Sequence, residues 1–359
     1  MDRGLVKEFL MPTIMPDQLE EIASQLLRGA GASADEASTV ARLSIGANLA
    51  GHDSHGIIQI PTYIDRVDRG HIVPGAEFEL LKDTPTTTVI DGHWGFGYVV
   101  AERAMKMTIE KAKTQNVAAT TVHRQSHIGR LASYPLMGAE ADMIAMITAD
   151  SGRSAKGVVP FGGREKRLGT NPIAIAMPSN LDGPFFIDMA TSAVAGGKVN
   201  LAKARGQDIP EGWILDKNGD PSTNPNDLGE GGAILPLGGD QGHKGYGLSS
   251  MVEIFSGILT GLGFGHDPSG RHNDGCFIAV FNLAAFRDVD DFKEEVAEFA
   301  QYLKNSETAP GFDEIYYPGE LEYLSEQKKK ADGIFVEDST WSELSALAEK
   351  YGVSSQLGF

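Results

Sequence analysis

From about residue 86 the chain alternates short β-branched, apolar runs with amphipathic stretches, and that alternation restricts the middle of the molecule to an α/β core. Residues 86–90, 117–122 and 143–148 read as strands, with helices over 101–113 and 131–141. Buried-type strands are expected at 173–177, 185–188 and 277–281, with a long helix over 245–260 between the last two. Both ends of the chain read differently. Leu19, Ile22 and Leu26 fall at helical spacing, and Ser33-Ala-Asp-Glu36 has the form of a capping box opening a second helix that stops near Gly51. Amphipathic helices return at 292–303 and 341–351. The simplest division is an α/β domain over 83–289 and a helical domain built from 1–82 and 290–359, a normal size for two domains in 359 residues.

Acidic residues outnumber basic ones, 49 to 31, and the resulting charge of −18 repels phosphate backbones and anionic membranes. Nucleic acid and membranes are therefore not expected as partners. An anionic cofactor would have to be held by local amides and a few placed cations. No apolar run approaches the ~18 residues of a spanning helix. Arg3 and Lys7 precede a short stretch broken by Pro12 and Pro16, without the apolar centre of a secretory signal, so a cytoplasmic location is expected. The one cysteine, Cys276, begins an apolar Cys-Phe-Ile-Ala-Val run and reads as a packed thiol in a core strand.

The common dinucleotide-binding fingerprint, Gly-x-Gly-x-x-Gly between a strand and a helix, does not occur. Gly261-Leu-Gly-Phe-Gly265 comes nearest, but it follows a helix and lacks the final spacing. Phosphate-loop, His-Glu-x-x-His and Gly-x-Ser-x-Gly motifs are absent too.

Chemistry-bearing residues concentrate in a few loops. Gly51-His-Asp-Ser-His-Gly56 follows a helix, and its His55 suits proton transfer to a developing alkoxide; equally, His52, Asp53 and Ser54 suit capping of that helix. His123-Arg-Gln-Ser-His127-Ile-Gly-Arg130 follows a strand, where loops of α/β proteins meet ligands or are simply solvated. Gly162-Gly-Arg-Glu-Lys-Arg-Leu-Gly169-Thr-Asn-Pro172 brings three cations and glycines that either wrap an anion or face water. Lys244 stands at the start of the 245–260 helix, an unfavourable place for a cation unless an anion binds there. Asp188 ends a buried-type strand and serves either as a cap for the following segment or as a partner orienting a histidine.

Together these segments resemble the type 2 malate/L-lactate dehydrogenase family. The carrying stretches are Asn48-Leu-Ala-Gly-His-Asp-Ser-His-Gly56, His127-Ile-Gly129, Leu168-Gly-Thr-Asn-Pro172, Asp188-Met-Ala-Thr-Ser192, His243-Lys-Gly-Tyr246 and Pro318-Gly-Glu320, in that order. The Gly-His-Asp-Ser-His-Gly and His-Ile-Gly-Arg spellings are most similar to the hydroxycarboxylate dehydrogenase B branch. The resemblance implies a non-Rossmann α/β dinucleotide fold with a helical domain from both chain ends, a homodimer, and an active site in the cleft between domains. It implies His55 as acid/base in a relay with Ser54 and Asp188, and NAD, or else NADP, as cofactor. By the same resemblance the cofactor contacts are His127, Ile128 and Gly129, then Pro184, Phe185, Phe186, Ile187 and Asp188, then Tyr317, Pro318, Gly319 and Glu320, with Lys244 at the cofactor or substrate. Adjacent side chains diverge in regular structure, so Ser54 reaches His55 only across a bend, which Gly56 would permit. Many members carry arginine three residues after the histidine, where this chain has Gln59. A neutral amide supplies no charge for a carboxylate, so Arg130 is the first candidate to hold it and Lys244 the second.

The implied reaction is hydride transfer between a nicotinamide and a small 2-oxo or 2-hydroxy acid such as malate, lactate or an aryl analogue. Within the family the alternative is reduction of a cyclic imine acid or keto-sugar acid. Outside it, a metal-dependent hydrolase would use His52, Asp53, His55 and His127 as ligands.

Overall fold

A computed structural model of the chain describes residues 13–150, 156–267 and 269–358. The reading of Arg3, Lys7 and Pro12 lies outside them. Two units are distinguished, one from residues up to Gly70 together with Leu321 onward, the other from His71 to Glu320.

The first unit is helical. Leu19, Ile22 and Leu26 lie fully buried on one face of the helix Pro16–Gly29, which packs on the helix Ala34–Leu49. Ser33 and Glu36 close a reciprocal capping box, satisfying two of the amides that a helix start leaves open. The helices Ile60–Asp68 and Asp338–Lys350 complete the packing, and the two-residue strand Thr13–Ile14 pairs antiparallel with Ile334–Phe335.

The second unit is built on seven strands: β1 Glu79–Asp83, β2 Thr87–Asp91, β3 Val117–Gln125, β4 Met143–Ala149, β5 Ile173–Met177, β6 Phe185–Met189 and β7 Asp274–Asn282. Their spatial order is β1-β2-β3-β7-β4-β5-β6, and only β2 and β3 pair in parallel. Following the ladder, β2, β3, β4 and β6 run one way and the other three run against them. The ends of β2, β3, β4 and β6 and the starts of β5 and β7 therefore share one edge of the sheet. Cys276 lies fully buried in the central β7, and burial pushes its thiol up to about 12, as suits an inert packed side chain.

Several expectations shift. The unit boundary assigns the helix Val289–Lys304 to the sheet-bearing unit, whereas the sequence division at 290 placed it with the helical ends. The helix expected over 131–141 is a tight turn, Leu131–Ser133, followed by Pro135–Glu140, because Pro135 lacks the amide that would carry one helix through. The helix expected over 245–260 is α-helical over Gly242–Glu253 and widens to a π-turn over Ile254–Ile258. Glu79–Asp83 was not legible because every residue in it is exposed and no alternation marks it. A small antiparallel sheet of Ile214–Leu215, Pro221–Ser222 and Ala233–Ile234 also went unread, its strands being two residues each.

Candidate active site

In the helical unit, Asp53–His55 forms one 3₁₀ turn and Ile57–Gln59 a second. Ser54 Oγ lies 2.9 Å from His55 Nδ1. The contact expected only across a bend is thus made inside the turn. Gly56 is needed for a different reason than backbone bending: its φ is −91°, and a Cβ there would lie 2.1 Å from Asn48 Oδ1. Asn48, 2 % exposed, uses that oxygen to accept the Ile57 amide at 2.7 Å, and its Nδ2 donates to Asp53 at 2.8 Å. Gln59 Nε2 donates to the Ser54 carbonyl at 2.8 Å. Ser54, His55 and Gln59 therefore form one hydrogen-bonded group hung on Asn48.

In the sheet unit, three of the expected segments meet around the edge strand β6. Asp188 accepts the Ala132 amide at 2.8 Å, so its carboxylate caps the turn Leu131–Ser133 and not the segment after β6. Arg130, 9 % exposed, holds its guanidinium 5.2 Å above the Phe186 ring. On the other side of the strand, the Phe186 amide donates to the Pro318 carbonyl at 3.1 Å, Tyr317 stacks on Phe185 and its hydroxyl donates to the Gly183 carbonyl. Gly319 has φ +97°, and a Cβ there would lie 2.5 Å from the Pro184 carbonyl oxygen, so no other residue permits this approach. Glu320 accepts the Tyr317 amide and pairs with Lys304, which also reaches Glu314 at 3.0 Å. Ile187 points outward, 43 % exposed.

The segment 127–129 is held from both sides. Tyr134 donates to the Ile128 carbonyl at 2.5 Å, and the Ile128 amide donates to Asp274 at 3.1 Å. Asp274 is buried and pairs with His272 at 2.7 Å, whose ring meets His127 edge-on at 5.6 Å. Burial pushes the Asp274 carboxyl up, but His272, His127 and the Ile128 amide outweigh it and hold the group below the usual range. The sequence reading missed this His272–Asp274 pair, which stands at the start of β7 on the sheet edge shared with the end of β3.

Lys244 is exposed on the first turn of Gly242–Glu253. A cavity of about 650 Å³ joins Phe161, Gly162 and Gly163 to Gly242 and Asp240, so the 162 loop and this helix start do share a surface. Asn171 is buried and ties β5 to the same helix through Ser249 and Glu253, a packing role for part of that loop. Of the residues that the hydrolase alternative would use as metal ligands, Asp53 pairs with Lys329 and His52 faces Glu322. Among the described residues no cluster of three or more histidine, cysteine or carboxylate side chains can hold a metal.

One unit thus offers a histidine fixed by a serine, and the other a buried cation and close backbone packing at a sheet edge, residue types that a dehydrogenase can use. The chain belongs to the malate/L-lactate dehydrogenase family, whose model matches residues 14–345. It is 35 % identical over 360 residues to malate dehydrogenase of Pyrococcus horikoshii, covering 98 % of this chain and 99 % of that one. Hydroxycarboxylate dehydrogenase B of Escherichia coli O157:H7 is 33 % identical over 346 residues, 94 % of each. The solved malate dehydrogenase of Entamoeba histolytica superposes with a TM-score of 0.91 at 34 % identity, over 95 % of this chain and 98 % of that one. The protein is accordingly a nicotinamide-linked oxidoreductase of small hydroxy and oxo acids, and no helix among the described residues is long and apolar enough to cross a membrane.

Proposed function

We propose that the chain is a cytoplasmic, homodimeric NAD-dependent dehydrogenase interconverting a 2-oxo acid of the malate, lactate or aryl type with its 2-hydroxy acid, with His55 as acid/base. The observation that carries this reading is the 2.9 Å contact between Ser54 Oγ and His55 Nδ1. With Nδ1–H donated to Ser54 in both the charged and neutral ring, the exchangeable proton is the one on Nε2. During reduction Nε2 delivers it to the developing alkoxide, and during oxidation it takes it back. Asp188 is the relay's carboxylate, immobilised through the Ala132 amide.

The residues around β6 fit a dinucleotide: a buried cation at Arg130, an exposed apolar side chain at Ile187 and closely packed backbone in an otherwise acidic protein. His127, Ile128, Gly129, Pro184 to Asp188, Lys244 and Tyr317 to Glu320 would hold it, on a mostly antiparallel sheet and without a Gly-x-Gly-x-x-Gly turn. When bound, the nicotinamide supplies or accepts the hydride. Arg130 is assigned to the substrate carboxylate, with Gln59 beside the acid/base.

Support for the dimer comes from an outward row on the 242–258 helix and the residue after it, Met251, Ile254, Ile258 and Leu259, between 44 % and 54 % exposed. Kinetics with a panel of 2-oxo acids against NADH and NADPH, for the wild type and His55→Ala, tests the function. The variant is expected to bind NADH normally and to lose about 10²- to 10⁴-fold in turnover. Near-wild-type turnover with an unaltered pH profile would remove His55 from the role.

A further inference from the structure

The helix Glu320–Asp332 buries none of its residues, so core packing does not explain where it lies. What it does offer is one polar stripe, at positions 322, 325 and 329, spaced as residues on a single helical face. All three reach the segment leading into the His55 turn. Glu322 lies 3.6 Å from His52 Nε2, Ser325 Oγ donates to the Leu49 carbonyl at 2.8 Å, and Lys329 Nζ donates to the Asn48 carbonyl at 2.7 Å and to Asp53 at 3.0 Å. The Asn48 and Leu49 carbonyls belong to the last turn of Ala34–Leu49, where carbonyls lack intrahelical partners and the helix carries partial negative charge. The Asn48 carbonyl already accepts the Gly51 amide at 3.0 Å, and Lys329 adds a second donor together with a charge opposite to that of the helix end. Asn48 then passes the constraint on, because its side chain grips Asp53 before His55 and the Ile57 amide after it.

We propose that Lys329, assisted by Ser325, is a positioning residue for the acid/base: it fixes the helix end and Asp53 so that the 3₁₀ turn presents His55 in one orientation. The proposal rests on the reading of His55 as the proton carrier. A misplaced acid slows proton transfer while leaving cofactor binding alone, since the proposed dinucleotide contacts lie in the other unit.

Steady-state kinetics of the intact enzyme with NADH and its best 2-oxo acid, run in H₂O and D₂O, separate this role from simple stabilisation. Lys329→Met is expected to lower kcat about 10-fold, to leave KM for NADH within about 2-fold, and to raise the solvent isotope effect on kcat as proton transfer becomes limiting. Lys329→Arg keeps the charge and both donors and is expected to recover most of kcat. A Lys329→Met enzyme with wild-type kcat and isotope effect, alongside an inactive His55→Ala enzyme, overturns the proposal. Activity persisting in His55→Ala overturns the acid/base reading itself, whatever Lys329→Met does. Should Lys329→Met melt below the assay temperature, Ser325→Ala is read in the same way, with a loss of about 3-fold expected and an unchanged kcat and isotope effect counting against the role.

Discussion

Gln59 donates its side-chain amide to the carbonyl of Ser54 at 2.8 Å, so the residue standing where the family resemblance leads one to expect arginine braces the turn that bears His55. Gln59→Ala removes that one hydrogen bond and is expected to cost about 1 kcal/mol of transition-state stabilisation, roughly 5-fold in kcat. Gln59→Arg retains a donor and adds a charge, so KM should change across a panel of 2-oxo acids more than kcat does. Identical kinetics for both variants and the wild type would place Gln59 outside the site.

Ser54→Ala leaves His55 in its turn but frees Nδ1 from its partner. Turnover is expected to fall about 10- to 100-fold, with NADH affinity measured by fluorescence unchanged. A weakened NADH complex would show that the hydroxyl serves the cofactor instead.

Asp188 caps the turn Leu131–Ser133 and is proposed as the relay's carboxylate, two roles that separate by substitution. Asp188→Asn keeps an acceptor for the Ala132 amide, so the melting temperature should hold while turnover falls, though less than in His55→Ala. Asp188→Ala strands that amide and is expected to cost about 1 to 3 kcal/mol of stability as well. Equal turnover in Asp188→Asn and wild type would leave Asp188 with the capping role alone.

The Asp274 carboxyl predicts a pH dependence of stability. Its folded value lies below the unfolded one, so its contribution is complete above the ordinary carboxylate range near 3.9 and is lost as pH falls through the folded value. Asp274→Asn should therefore lower stability at neutral pH, by about 2 kcal/mol for a charge-assisted pair, with the deficit closing toward the most acidic conditions. Melting temperatures of both proteins from about pH 8 down to about pH 1.5, below the lowered carboxyl, measure this. A deficit that stays constant over that range would assign the loss to packing.

Much of the fold is legible in the sequence. The strands 173–177, 185–188 and 277–281 stood out because buried β-runs are short, apolar and bounded by turn residues, and Ser33 and Glu36 announced a helix start through chemistry that acts over three residues. The Ser54–His55 pair entered through the family resemblance, since adjacency alone argues for side chains that diverge, and it is the 3₁₀ turn that brings them together. What stayed hidden is what depends on distant chain. Lys329 lies 276 residues from Asp53 and sits in a helix without an apolar face, so no periodicity marked either the helix or its purpose. His272 and Asp274 meet His127 and Ile128 respectively only because β7 inserts beside β3, a register that local pattern does not carry.

That insertion also sets an order of events for a chain emerging from the ribosome. β3 and β4 are made early but touch only through β7, 125 residues after the end of β4, so until Asn282 has been synthesised both present bare edges capable of pairing with another molecule. Nascent copies of this enzyme are thus most exposed to mispairing late in synthesis, and the strand that closes the gap is also the one whose first residue secures Ile128.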